Sequence, residues 1–389
     1  MEPNTALELV KKGATFLALD VPQYTLFGID TQMFSAGPNF KGIKMIPPGI
    51  HFIYYSSSNR EGNEFSPIVG FFIDTSSSQV IVRRWDQKEE RLVKVSEEEE
   101  ERYSDAVKRL EFDKQLGPYT LSQYGDWTHL SNYITKDTVD RLEPIGGKIT
   151  IACESDVVEM FSKTSMEKSL AEHLTNNKFS TRDDKSQKQR CYYTAIPRVV
   201  KQKGISGEDL TSLNLDKTYL LETILMKEYG GDEEALLAEL QFAFIAFLMG
   251  QSLEAFLQWK LLVSLLLGCT ESPLHSRSQL FTKFVKALYY QLKIGFQKDT
   301  GDMTQGVADE SWLSSDSFLH RLCKDFFSLV LEAPVVDGDL LTWTRRLKSL
   351  LEDSIGWKFQ EDSAADGVFF DEDDEYAPVV ENLDDAMSK

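Results

Sequence analysis

The chain has 389 residues, 42% of them hydrophobic and 27% charged, with a formal net charge of -20. That length and apolar share suffice for two or three domains around a real core. The negative balance disfavours nucleic-acid binding over the whole surface and attachment to an anionic membrane, both of which need clustered Lys and Arg, and it is compatible with a basic protein partner.

The N-terminus, Met1-Glu2-Pro3-Asn4, lacks the charged-then-apolar pattern of a secretion signal. From Thr15 to Trp85, short β-rich runs follow one another: Phe16–Leu19, Ile50–Tyr55, Val69–Ile73 and Val80–Val82. Turn residues separate them at Gly37-Pro38-Asn39, Pro47-Pro48-Gly49 and Ser76-Ser77-Ser78. Pro48 fixes φ and Gly49 accepts a positive φ, which predicts a type II turn. Strands without intervening helices predict an antiparallel sandwich or barrel. Ser96 before a run of glutamates predicts a capped helix that carries Val107 and Leu110 and ends near Gly117-Pro118. Gly146-Gly147-Lys148 has the look of a phosphate loop, but Leu142 stands at the first-glycine position and Ile149 replaces the metal-binding hydroxyl, so a turn is predicted.

Positions 166–212 turn polar and mixed in charge, which predicts a linker or mobile insertion with a short extended piece at Cys191-Tyr192-Tyr193-Thr194. From Leu213 to Trp357 the period is helical. Asp232 and Ser252 are N-caps, and the helix between them, to Met249, is apolar nearly all round and therefore central. Stripes at Leu280-Phe284-Leu288-Leu292, Leu319-Leu322-Phe326-Leu329 and Leu340-Trp343-Leu347-Leu350 predict three more helices, with Arg345, Arg346 and Lys348 on the outer face of the last. Short connections imply antiparallel neighbours in a bundle or short superhelix. The domains read as 1–165 (β-rich), 166–212 (linker), 213–358 (helical) and 359–389 (acidic tail).

The tail crowds acidic residues into positions 361–375, which argues against independent folding. It also carries Phe369, Phe370, Tyr376, Pro378, Val379 and Val380, residue types suited to adding a strand to a partner's sheet edge. The alternative is a solubilising tail with incidental aromatics.

Chemistry is sparse. No dinucleotide fingerprint, nucleophile elbow or His pair on one helix face occurs. His51, His129, His173, His275 and His320 are isolated, and His51, inside a strand, reads as a satisfied structural histidine. Cys153, Cys191, Cys269 and Cys323 lack zinc spacing and read as buried, reduced thiols. No catalytic residue, metal or cofactor is expected. The most apolar stretch, Ala235 to Met249, is interrupted by Glu239 and Gln241 and is too short for a bilayer. With no N-x-[ST] acceptor, this composition points to a soluble intracellular protein. Ser66-Pro67 and Ser272-Pro273 are minimal proline-directed phosphorylation pairs.

The block Phe27-Gly28-Ile29-Asp30, then Gly37-Pro38-Asn39-Phe40-Lys41-Gly42 and Ile46-Pro47-Pro48-Gly49-Ile50-His51-Phe52 running on to Ser57, resembles the signature of the Aar-two family of splicing factors. Leu116-Gly117-Pro118-Tyr119, Trp127, Leu130-Ser131-Asn132-Tyr133-Ile134, Ala238–Phe244, Glu254-Ala255-Phe256, Trp259-Lys260 and Ala377–Glu381 continue the likeness nearly end to end. The resemblance implies a β-sandwich-like N-terminal domain, a VHS-like helical C-terminal domain and a non-enzymatic role. It implies that the chain binds the large scaffold protein of the U5 small nuclear ribonucleoprotein at its RNase-H-like and Jab/MPN-like domains. Binding there holds off an RNA helicase and the small nuclear RNAs, with the tail adding a strand between the two domains. Gly37, Pro38, Gly42, Pro47, Pro48, Gly49 and His51 are then structural signature residues. The expected protein is a monomer within a hetero-complex, cytoplasmic and nuclear, with no direct contact to nucleic acid or membrane. Two other readings stand beside it: a helical adaptor of membrane traffic, and an enzyme with its site in the β-domain cleft.

Overall fold

The computed structural model of the chain describes residues 8, 9, 11–154, 190–197, 206–296 and 318–359. Among the described residues nine strands form two sheets: β1 (Ala14–Leu19), β2 (Leu26–Ile29), β3 (Gln32–Ser35), β4 (Gly42–Ile46), β5 (Gly49–Ser56), β6 (Val69–Thr75), β7 (Val80–Asp86), β8 (Arg91–Lys94) and β9 (Leu116–Pro118). One sheet has the order β3-β2-β5-β6 and is antiparallel throughout. The other, β8-β7-β1-β4-β9, is mixed, because β1 pairs with β7 and β4 with β9 in parallel. Ala14, Phe16 and Ala18 of β1 meet Phe27, Ile53, Tyr55 and Ile73 between the sheets, so the predicted sandwich is present.

Strand alternation explains the layers on either side. Leu17 and Leu19 point away from that core and pack with Val82, Tyr103 and Val107 under α1 (Glu97–Lys108). Ser96 caps this helix by accepting from the Glu99 N–H. The helix stops at Lys108, short of the predicted end, and Leu110 lies beyond it at φ 63 and exposed, not on the apolar stripe. On the other side, Phe52 and Tyr54 of β5 and Phe72 of β6 face the helices. Both faces of β5 are therefore buried.

Two short helices, α2 (Tyr124–Ser131) and α3 (Lys136–Leu142), fit between the sandwich and the rest. The bundle comprises α4 (Gly207–Leu215), α5 (Thr218–Glu228), α6 (Glu233–Leu248), α7 (Leu253–Leu267), α8 (Ser278–Gly295), α9 (Phe318–Glu332) and α10 (Gly338–Ile355). Asp232 and Ser252 cap α6 and α7 as their sequence predicts. Every residue of α6 from Leu236 to Leu248 is buried. α4 begins inside the stretch expected as linker, and residues 190–197 pack against the core through Cys191, Tyr193 and Ile196. Trp343 and Leu350 are half-buried, because α10 lies at the bundle edge.

The sandwich and the bundle share one continuous apolar cluster, in which Phe72 stacks on Phe242 with ring centroids 4.5 Å apart. No helix among the described residues is long and apolar enough to cross a membrane.

The chain crosses from β4 to β5, and so from one sheet to the other, through Pro47-Pro48. Gly49 has φ +131, wider than the value near +80 of a type II turn, so the predicted turn is instead an open bend. The space around Gly49 is empty, so only its backbone conformation resists a side chain. Gly49→Val is expected to destabilise the chain by about 1–3 kcal/mol. An unchanged denaturation midpoint would show that the corner tolerates a β-branched residue.

Candidate functional site

The proline- and glycine-rich part of the signature block lies on two of the connections that cross between the sheets, β3 to β4 and β4 to β5. Between β3 and β4, Gly37-Pro38-Asn39-Phe40 closes a turn through the Phe40 N–H and the Gly37 carbonyl, 3.1 Å apart. Gly42 then runs against β1 at φ +130, where a Cβ would stand 2.0 Å from the Phe16 carbonyl oxygen. At the second crossing, the Pro47 carbonyl accepts from His51 Nε2 at 2.7 Å and from Thr75 Oγ1 at 2.9 Å.

His51 is the centre of a buried polar network. Its Nδ1 lies 2.6 Å from Asp30 Oδ2, which also accepts from the Tyr119 hydroxyl at 2.6 Å. Asp30 Oδ1 accepts from the Phe52 N–H at 2.9 Å. The ring stacks on Trp127, whose Nε1 donates to the Ile50 carbonyl. Both imidazole nitrogens face oxygen acceptors, so both are donors and the ring is held as imidazolium. Burial pulls its pKa down, but the Asp30 charge and hydrogen bond, with the Pro47 carbonyl, outweigh this and leave it raised. A protonated ring with both N–H groups engaged has no lone pair with which to act as a base. The Asp30-His51-Tyr119 triad holds the sheet crossing in place, and Trp127 fastens it to α2.

The network sets a pH dependence. A folded pKa above the unfolded imidazole value stabilises fully below about pH 6.5, and that contribution is lost as pH rises through the folded value. Glu154 acts with the same sign lower down. It accepts from Ser252 Oγ (2.6 Å) and from the Leu253 and Glu254 N–H groups at the start of α7. Burial, the larger influence, nevertheless pushes its pKa up to about 7. Stability should therefore fall as pH rises past neutrality, and His51→Gln should flatten the part above the Glu154 window. A denaturation midpoint that holds steady or climbs from neutral to pH 9 would contradict this protonation state.

Two polar side chains inside α6 join the sandwich side to the bundle. The Glu239 carboxylate accepts from Arg141 Nη2 (2.9 Å), the Thr194 N–H (2.8 Å) and Oγ1 (2.8 Å), Gln258 Nε2 (2.9 Å) and the Tyr229 hydroxyl (3.0 Å). Gln241 receives the Tyr133 N–H and donates to the His129 carbonyl and to Asn132 Oδ1. Between them they tie α2, α3, α5, α7 and the 190–197 segment to α6. Sequence reading marked both only as interruptions of an apolar stretch. Their burial amid Leu and Phe is the signal that could have exposed them as nodes.

The predicted tail residues Phe369, Phe370, Tyr376, Pro378, Val379 and Val380 lie outside the described residues. So does most of the predicted linker. Gly146-Gly147 forms a turn, with the Gly147 N–H bonded to the Pro144 carbonyl at 2.8 Å. Cys269 and Cys323 are buried free thiols, and Cys191 is a half-buried one. Ser272 is fully buried and Ser66 half-buried. Among the described residues no group of three or more His, Cys, Asp or Glu side chains could hold a metal. The arrangement offers a two-part body joined through the buried Glu239 and Gln241 networks.

Two family profiles match in chain order: the AAR2 N-terminal domain over residues 12–144 and the AAR2 C-terminal repeat region over residues 193–360. The chain is 30% identical to the Protein AAR2 homolog of Homo sapiens, over all of this chain and 98% of that one. It is 31% identical to the Protein AAR2 homolog of Caenorhabditis elegans, over 92% of this chain and 98% of that one. The A1 cistron-splicing factor AAR2 of Saccharomyces cerevisiae is 21% identical over 70% of this chain and 74% of its own length.

Proposed function

The chain belongs to the AAR2 family, and from that premise we propose that it is a non-enzymatic assembly factor in pre-mRNA splicing. Its target is the large scaffold protein of the U5 small nuclear ribonucleoprotein, bound at the RNase-H-like and Jab/MPN-like domains. Occupying those domains delays helicase and RNA engagement while the particle matures. The chain acts as a monomer within that hetero-complex, in both cytoplasm and nucleus. The splicing role named for the yeast relative supports this reading.

The observation that carries it is the single body made by the Glu239 and Gln241 nodes and the Phe72–Phe242 stack. A clamp on a multidomain partner must hold its own two parts in fixed relation, and buried networks supply that rigidity. The nearest thing to a catalytic constellation, Asp30-His51-Tyr119, is sealed and fully hydrogen-bonded. The acidic tail adds electrostatic steering toward a basic surface and strand-forming residues for edge pairing. Affinity capture of the full chain from nuclear and cytoplasmic extracts, read by mass spectrometry, tests the assignment. Recovery of the scaffold protein with its U5 partners is expected. Recovery of endosomal coat components without the scaffold would overturn it.

A further inference from the structure

One face of this strongly acidic chain is basic and aromatic. Between α8 and α10 lies a groove of about 380 Å³ lined by Tyr289, Tyr290, Lys293, Trp343, Arg346 and Leu350. Tyr289 and Tyr290 pack edge-on and tilted against Trp343, with ring centroids 5.7 and 6.0 Å away. Lys286 Nζ lies 5.5 Å and the Arg346 guanidinium 4.8 Å from the centre of the Trp343 ring. Tyr290 is capped on its far side by His129, stacked at 3.7 Å. Burial and the nearby charges of Lys286 and Lys293 hold the His129 pKa low, so the ring stays neutral in a positive field.

Elsewhere on the bundle, Arg277 is paired with Glu222 and Glu233, Lys283 with Glu234, and Lys348 with Glu352. Lys286, Lys293 and Arg346 form no ion pair among the described residues. Asp353, hydrogen-bonded by Ser349, is the one carboxylate lining the groove among the described residues. Half-exposed aromatic faces flanked by uncompensated cations suit an extended acidic segment with aromatic side chains of its own.

The chain carries such a segment a short way beyond its last described residue. Residues 369–376 read Phe-Phe-Asp-Glu-Asp-Asp-Glu-Tyr, and they follow the last described residue, Phe359, by ten positions. Ten extended residues reach about 33 Å. From Trp343 to the end of α10 at Ile355 the helix advances only about 18 Å. Tethering at that distance gives an effective concentration on the order of millimolar, so even a weak site is filled.

We propose that the α8/α10 groove is the intramolecular dock for the acidic-aromatic segment 369–376. Asp371 to Glu375 lie along Lys286, Lys293 and Arg346, while Phe369, Phe370 and Tyr376 cover the Tyr289–Trp343 faces. The tail is then masked in the free chain, and a partner must displace it before pairing with it. Docking in cis stands whether or not that partner is the U5 scaffold.

The test uses the full chain, alone and as a variant with Asp371, Asp373 and Asp374 changed to Asn and Glu372 and Glu375 to Gln. Zero-length carbodiimide cross-linking should join Lys286 and Lys293 to the 371–375 carboxylates within one molecule, as mixed isotopically light and heavy chains reveal. Oxidative footprinting should label Tyr289, Tyr290 and Trp343 several-fold faster in the variant, and high salt should erase the difference. Equal labelling at low salt would overturn the proposal. So would cross-links that join these lysines instead to Asp299, Asp302, Asp309 or Glu310, or that join two copies. Protection of the groove by a single-stranded oligonucleotide, with no cross-links from these lysines to residues 371–375, would assign it to RNA and overturn the proposal equally.

Discussion

Phe244→Ala should destabilise the chain by about 3–5 kcal/mol, the cost of a large-to-small change in a site that cannot collapse. Phe244 is fully buried in α6, and its ring lies 5.6 Å from that of Trp259, itself fully buried and bonded through Nε1 to Gln291. α6 is covered on all sides, so its neighbours cannot close over the void without shifting several helices at once. Phe244→Leu, which keeps most of the volume, should cost far less. Denaturant unfolding of both variants checks this. A loss below about 1 kcal/mol for the alanine variant would mean that the bundle repacks freely, unlike a core at ordinary density.

Glu239→Ala should cost about 3 kcal/mol or more by a different route. It removes little apolar contact, but it strips the acceptor from Thr194, Gln258 and Tyr229 together. Each buried donor left unpaired costs about 1–3 kcal/mol. Arg141 is partly exposed and can turn to solvent, so its share is smaller than for a sealed ion pair. The local consequence is diagnostic, since Thr194 ties the 190–197 segment to α6. Amide exchange at Thr194 should accelerate well before global unfolding in Glu239→Ala, and unchanged protection there would show that apolar packing alone holds the segment.

Much of the architecture was legible where one period runs long enough to dominate. The alternation in β5 and β6 and the caps at Ser96, Asp232 and Ser252 fixed their elements. The helices α2 and α3 escaped because eight and seven residues hold barely two turns of period, and Gly125 sits within the first. The parallel pairing of β1 with β7 and β4 with β9 was not readable either. Strand partners are chosen in three dimensions, and a local run carries no mark of them. Leu110 was placed on a helix by spacing alone, although the chain turns at Arg109.

The site divides similarly. The corner at Pro47–His51 was visible as a cluster of turn residues, and His51 as structural by its place in a strand. Its partners Asp30 and Tyr119 lie 21 and 68 positions away in sequence, so only the fold assembles the triad. Glu239 and Gln241 looked like flaws in an apolar helix because their partners come from five other parts of the chain. A buried polar side chain declares its role only once its neighbours are known.

The proposed clamp depends most on residues 360–389. Titration of a scaffold fragment holding the RNase-H-like and Jab/MPN-like domains, with the full chain and with a chain ending at residue 359, tests it most directly. Weaker binding by the shortened chain and an association rate less sensitive to salt are expected, because the acidic segment that steers the encounter is gone. Its unfolding transition should be nearly unchanged. Equal affinity and equal salt dependence for the two chains would contradict the clamp and leave the tail no part in binding.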